Sequence, residues 1–254
     1  MYKRQVLKQL VAWVGLDSFL EGLRGYFQDF EFGNAEFKDL LMALEKASGR
    51  ELESWAQEWL QTSGVNTLAA EFELDDSGSY SSFSVKQTAP ADYPTLRRHR
   101  LGLGLYDKVE GRLVRRTSFE IDVEGGSTEV KDLVGVKQPD LLLLNEGDLA
   151  YAKIRLDERS LDTVVTSIET IDDSLARALC WGAAWDMTRD AEMSATDFVT
   201  LVLSGLASET DAFGVSRIPG YAAPQHSARA RESSMVSMLV TRVWSERSSR
   251  RILA

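Results

Sequence analysis

Apolar positions recur along this chain with two different periods, and the period changes twice. From Val6 the apolar residues fall at Val6, Leu7, Leu10, Val11 and Val14, the spacing of a buried helical face. Asp17 is expected to cap a second helix carrying Phe19, Leu20, Leu23, Tyr26, Phe27 and Phe30. Asn34 is expected to cap a third, with Phe37, Leu40, Leu41 and Leu44 on one face and Gly49 as its stop. Leu52, Trp55 and Trp59 follow at i, i+3 and i+7, and an apolar stripe at that period assigns both tryptophans to core packing.

Between Asn66 and Leu156 the period drops to two. Leu68, Ala70, Phe72 and Leu74 alternate with polar neighbours. Asp75-Asp76-Ser77-Gly78 turns the chain, and Tyr80 to Gln87 returns as the partner strand. Leu101 to Leu105, Phe119 to Val123 and Leu141 to Leu144 supply further strands, with Gly125-Gly126 and Gly147 at turns. Short strands with no helix between them predict a small antiparallel sandwich. After Asp157 the helical period returns. Ser160 is expected to start one helix and Asp172 or Asp173 to cap the next, which runs through Leu175, Leu179 and Trp185. Ser194 to Asp197 forms a capping-box pattern ahead of FVTLVLSGL, apolar nearly all round and therefore expected to be buried. Met235, Leu239 and Val243 suggest the beginning of another helix. The fold class is thus multidomain α+β: a helical segment, a small antiparallel β-sandwich, then an α-helical segment.

Composition narrows the function classes. A 254-residue chain that is 44% hydrophobic and 27% charged has material for a proper core. A net charge of −10 argues against a general nucleic-acid binder, because phosphate neutralisation needs surplus cations. No apolar run reaches the roughly 18–20 residues a bilayer span requires, so no membrane partner is expected. The single cysteine, Cys180, excludes an internal disulfide and fits a reducing, cytoplasmic compartment.

Candidate chemistry is sparse. His99 and His226 are the only histidines, and neither sits in an H-E-x-x-H pattern. His99, within Arg97-Arg98-His99-Arg100, is expected at the surface. Cys180, between Leu179 and Trp181, is expected to be a buried thiol rather than a nucleophile. Leu-Gly-Leu-Gly-Leu lacks the third glycine of a dinucleotide fingerprint, so its glycines are read as permitting close packing. Arg97, Arg98, Arg100, Arg112, Arg115 and Arg116 are read as solvated cations guarding strand edges. Asp75 to Gly78 lacks the rhythm of a calcium loop and is read as a hairpin turn. Catalytic, cofactor-binding and metal-ligating residues: none.

Three long strings carry a resemblance. VLKQLVAWVGLDSFLEGLRGYF together with DLLMALEKASGRELESWAQEWLQTSG is similar to the end of the catalytic domain of the M1 family of zinc aminopeptidases, in its bacterial, actinobacterial-type aminopeptidase N branch. PDLLLLNEGDLAYAKIRLDERSL resembles the junction between that family's β-sandwich and its C-terminal helical domain. LARALCWGAAWDMTRDAEMSATDFVTLVL resembles early helices of the latter. The resemblance runs from about Val6 to Leu206. It implies three domains: 1–63 as the last helices of a thermolysin-like catalytic domain, 64–156 as the β-sandwich, and 157–254 as the start of an ERAP1-like C-terminal helical domain. It implies a zinc-dependent aminopeptidase acting on peptide substrates.

In the family a transition-state tyrosine precedes the first helix in a Tyr-x-Lys-Gly-Ala pattern. Tyr2 is out of register by two residues and lacks the Lys-Gly-Ala, so the role does not transfer to it. Residues 1–5 are similar to a translated sequencing adapter. The family's zinc helix, third glutamate ligand and amine-gripping loop all lie upstream of the matched strings. The chain is therefore expected to be a fragment that binds no zinc and is inactive alone, with the rest of the catalytic domain as its packing partner. Apolar faces carrying Trp13, Phe19 and Phe27 are expected to lie uncovered. A non-enzymatic sandwich-and-helix binding module, or a gatekeeper that lost its metal, are the alternatives.

Overall fold

The computed structural model describes residues 2–208. Four helices come first: α1 (Tyr2–Val14), α2 (Leu16–Asp29), α3 (Phe37–Ser48) and α4 (Glu53–Leu60). Strands follow as β1 (Thr67–Leu74), β2 (Tyr80–Thr88), β3 (His99–Val109), β4 (Arg112–Val123), β5 (Ser127–Glu129), β6 (Leu141–Leu144) and β7 (Lys153–Arg155). Three helices close the described chain: α5 (Glu158–Ser167), α6 (Ser174–Arg189) and α7 (Ala195–Ser208). The strands form two sheets, one ordered β5-β2-β1-β7 and one ordered β4-β3-β6. The architecture is mixed α+β, with the helical and strand zones in the predicted order.

Helix starts are where the structure departs from expectation. α2 follows Gly15, whose φ of 85° turns the chain sharply out of α1, and Asp17 sits inside the first turn, where a negative charge suits the helix dipole. Asn34 does not cap α3. Glu36 does, in a reciprocal capping box with Asp39, whose carboxylate accepts the Glu36 amide at 2.8 Å. Asp157, not Ser160, opens α5, accepting the Ser160 amide at 3.2 Å. Asp173 caps α6 by accepting the Leu175 amide at 2.8 Å. Gly49 ends α3 in the left-handed conformation, as its residue type predicts.

The described residues divide into two compact units. The first takes 2–102, 119–137 and 148–153; the second takes 103–118, 138–147 and 154–208. In the first unit Leu10, Trp13, Val14, Leu41, Leu44, Leu52, Trp55 and Ala56 form one buried cluster, with Phe19 and Trp59 packed against it. Trp13 is therefore covered by its own helices, whereas Phe27 is 66% exposed. The β1–β2 hairpin pairs Leu68 with Gln87 and Phe72 with Phe83, and its turn is knitted by the Asp75 carboxylate, which accepts the Ser77 and Ser79 amides. In the second unit β6 pairs antiparallel with β3, setting Gly104 opposite Leu143. α7 is buried on one face only: Phe198, Leu201 and Val202 are buried while Thr200 is exposed and Leu203 is 38% exposed. No helix among the described residues is long and apolar enough to cross a membrane.

Candidate functional site

Two buried polar clusters stand out, one in each unit. The first is built where α4 ends. The last carbonyls of a helix lack intrahelical partners, and a cation there meets both the hydrogen-bonding need and the dipole. Arg97, 3% exposed, supplies it. Its Nε donates to the Glu58 carbonyl at 2.9 Å, one terminal nitrogen to the Thr62 hydroxyl at 2.6 Å and the Ser63 carbonyl at 2.8 Å, and the other to the Asn66 side-chain oxygen at 3.3 Å. The guanidinium also lies 5.3 Å from the Trp59 ring centre. Burial draws its pKa below the ordinary arginine value, with Glu58 opposing.

His99 lies beside it and is 1% exposed, which corrects the surface placement expected from its cationic neighbours. Its ring meets Trp59 edge-on at 5.2 Å, and its Nε2 is 3.0 Å from the Gln87 side-chain oxygen. Gln87 donates its amide nitrogen to the Gly125 carbonyl at 2.7 Å, which fixes its oxygen as the acceptor toward His99. Nε2 therefore carries the proton. Burial first, and Arg97 second, push the imidazole pKa down to about 3, so it stays neutral.

The second cluster centres on Glu146, a buried carboxylate in the turn after β6. Asn145, Gly147 and Asp148 all adopt left-handed backbone, with φ of 69°, 77° and 57°. That turn directs Glu146 back toward β3. Its Oε2 accepts the Tyr106 hydroxyl at 2.9 Å and its Oε1 accepts Arg115 at 2.6 Å. Gly104 makes the room, since a Cβ there would stand 2.6 Å from Oε2. Burial raises the Tyr106 pKa, with Glu146 adding to it. Cys180 is fully buried, and its thiol is pushed up to about 12 by burial, which leaves it inert as a nucleophile.

The remaining arginines of the six are paired with carboxylates, and Arg112, 58% exposed, and Arg116 stand on β4, an edge strand of its sheet. Arg98 meets Glu51 at 3.2 Å, Arg100 meets Glu120 and Asp122 at 2.9 Å each, Arg116 meets Asp107 at 3.2 Å, and Arg112 pairs with Asp172. Alternation held the missed signal: 97, 99 and 101 are buried while 96, 98 and 100 are part-exposed, before every residue from 101 to 106 is buried. Counting the strand's inward positions back from the leucines reaches His99 and Arg97. Tyr2 falls in α1, and His226 lies outside the described residues. A cavity of about 270 Å³ opens between α3 and α4, lined by Phe37, Leu41, Met42, Ala56 and Leu60. Phe37, Met42 and Leu60 are each about half exposed there.

The family model described as "Peptidase family M1 domain" matches residues 2–59, and the one described as "ERAP1-like C-terminal domain" matches residues 141–238. "Aminopeptidase N" of Streptomyces lividans is 50% identical over 213 residues, which is 81% of this chain and 25% of that protein. The chain belongs to the M1 peptidase family. Within it, "Aminopeptidase M1" of Arabidopsis thaliana is 26% identical over 68% of the chain and 18% of its own length. A crystal structure of Legionella pneumophila aminopeptidase A in complex with aspartic acid shares the fold, with a TM-score of 0.64 at 14% identity, over 97% of this chain and 30% of that one. The chain thus spans about a quarter of the length of the M1 relative it matches at 50% identity.

The M1 family is generally zinc-dependent, and the donors among the described residues do not fit that metal. Among the described residues no three His, Cys, Asp or Glu side chains gather as a metal would require. His99 keeps an unprotonated Nδ1, but it belongs to no such group of three, and Cys180 keeps its proton.

Proposed function

We propose that this chain contributes framework to a cytoplasmic zinc aminopeptidase that removes N-terminal residues from peptides. Zinc, when bound in such an enzyme, supplies a Lewis acid that polarises the scissile carbonyl and activates water. Residues of this chain hold that framework in shape and make no contact with the reacting atoms. Residues 1–63 act as the last helices of the catalytic domain, 64–156 as the β-sandwich, and 157–254 as the start of the C-terminal helical domain. The half-exposed Phe37, Met42 and Leu60 form the face on which further catalytic-domain polypeptide packs. Neither nucleic acid nor membrane is a partner.

The observation that carries this reading is the 50% identity to Aminopeptidase N of Streptomyces lividans over 213 residues. A chimera tests it. Residues 6–206 of this chain replace their counterparts in that relative, and hydrolysis of an aminoacyl anilide is measured. The expected result is a folded, zinc-loaded chimera with kcat/KM within about tenfold of the parent, a barrier change of at most ~1.4 kcal/mol. A folded chimera that binds zinc yet shows no turnover would overturn the reading in favour of a non-enzymatic module.

A further inference from the structure

We infer that Arg97 is a clasp that turns the α4-to-β1 connection into a fixed joint, so that helices α1–α4 leave the sheet at one set angle. The connection, residues 61–66, has no regular secondary structure beyond a bend. Its sequence, Gln-Thr-Ser-Gly-Val-Asn, is that of a flexible linker, and Gly64 takes a left-handed φ of 94°. Six such residues would ordinarily let the elements they join move independently.

The side chain of Arg97 removes that freedom from both ends. Toward α4 it takes the Glu58 carbonyl; along the connection it takes the Thr62 hydroxyl and the Ser63 carbonyl; at the threshold of β1 it takes Asn66. Those acceptors span nine positions of the chain, and a single planar fork holds them together. Asn66 carries the hold onward: its side-chain nitrogen donates to the Thr95 carbonyl at 2.7 Å, and its own carbonyl accepts the Lys153 amide at 2.9 Å, beside β7. Trp59 closes a second path, donating its indole N–H to the Arg98 carbonyl at 3.1 Å, while the Arg98 amide donates to the Glu58 carboxylate at 2.9 Å.

Every acceptor that Arg97 engages is neutral. A carboxylate would have held a lysine equally well, but four dispersed neutral oxygens need the guanidinium's divergent donors. The joint therefore depends on arginine geometry and not on charge alone. This inference is independent of the catalytic reading: it concerns how the residues that match the M1 peptidase domain are joined to the first sheet.

Spin labels on the full chain test it. Glu53→Cys in α4 and Ser82→Cys in β2 are exposed label sites, and buried Cys180 stays unlabelled. The expected result is a narrow distance distribution in the parent that broadens in Arg97→Gln and in Arg97→Lys alike. Amide exchange at 62–66 is expected to rise about tenfold while 68–72 is unchanged. Should Arg97→Gln fail to fold, Thr62→Val removes one acceptor and is expected to broaden the distribution partway. A distribution that stays narrow in a folded variant whose melting temperature has dropped would make Arg97 an ordinary core residue. Full recovery by lysine would mean that charge alone suffices. Either outcome overturns the inference.

Discussion

The two buried polar clusters solve one problem in opposite ways. Around Arg97 a charge is sunk among neutral oxygens, and its nearest carboxylate, on Glu58, is turned to the Arg98 amide. Around Glu146 a buried carboxylate is met by a cation whose own side chain is 48% exposed. The first cluster is a tightly shared network, because four acceptors depend on one guanidinium and the buried one, the Asn66 side-chain oxygen, would be left dry without it. The second is forgiving, because water can reach Arg115 and replace part of what the pair supplies. Rigidity belongs to the first design and tolerance to the second.

Arg97→Ala should break that contrast most visibly. It leaves the buried Asn66 side-chain oxygen without a donor and the Glu58 carbonyl with only the Thr62 hydroxyl, and it should lower unfolding free energy by about 3 kcal/mol in denaturant titration. Acid comes next. Folded His99 protonates only near pH 3 and unfolded His99 near 6.5, so below pH 6.5 the unfolded chain takes up a proton that the folded chain refuses. Stability contributed by the neutral imidazole is complete above that value and falls as pH drops toward 3, by roughly 2 kcal/mol between pH 7 and 5. His99→Gln should lose that part of the slope. In the second cluster Gly104→Ala forces its methyl against the Glu146 carboxylate, and the expected cost is about 1.5 kcal/mol. Tyr106→Phe removes one hydrogen bond to Glu146 and should cost about 1 kcal/mol. Equal losses for Arg97→Ala and Tyr106→Phe would erase the difference between the clusters.

Legibility in the sequence followed the same line. Period told the helical zones from the strand zone, and β6 spans the same Leu141 to Leu144 that its apolar run predicts. Caps were harder, because Asp17 and Asn34 are good cap residues standing near helix starts that other residues took. β5 and β7 are three residues each, too short to show a period at all. The polar clusters were legible only in part. Identity pulled His99 and Arg97 toward the surface while alternation put them inside, and alternation won because the sheet needs a filled inner face. Glu146 gave no warning: its neighbours Asn145, Gly147 and Asp148 mark a turn, and nothing local says that Gly104, forty-two positions earlier, leaves space for its carboxylate.

Metal analysis of the purified 254-residue chain, paired with an aminoacyl-anilide assay, tests most directly the proposal that the chain supplies framework and no reaction centre. Zinc far below one ion per chain and no turnover above background are the predicted results. One tightly held zinc per chain accompanied by hydrolysis would contradict it.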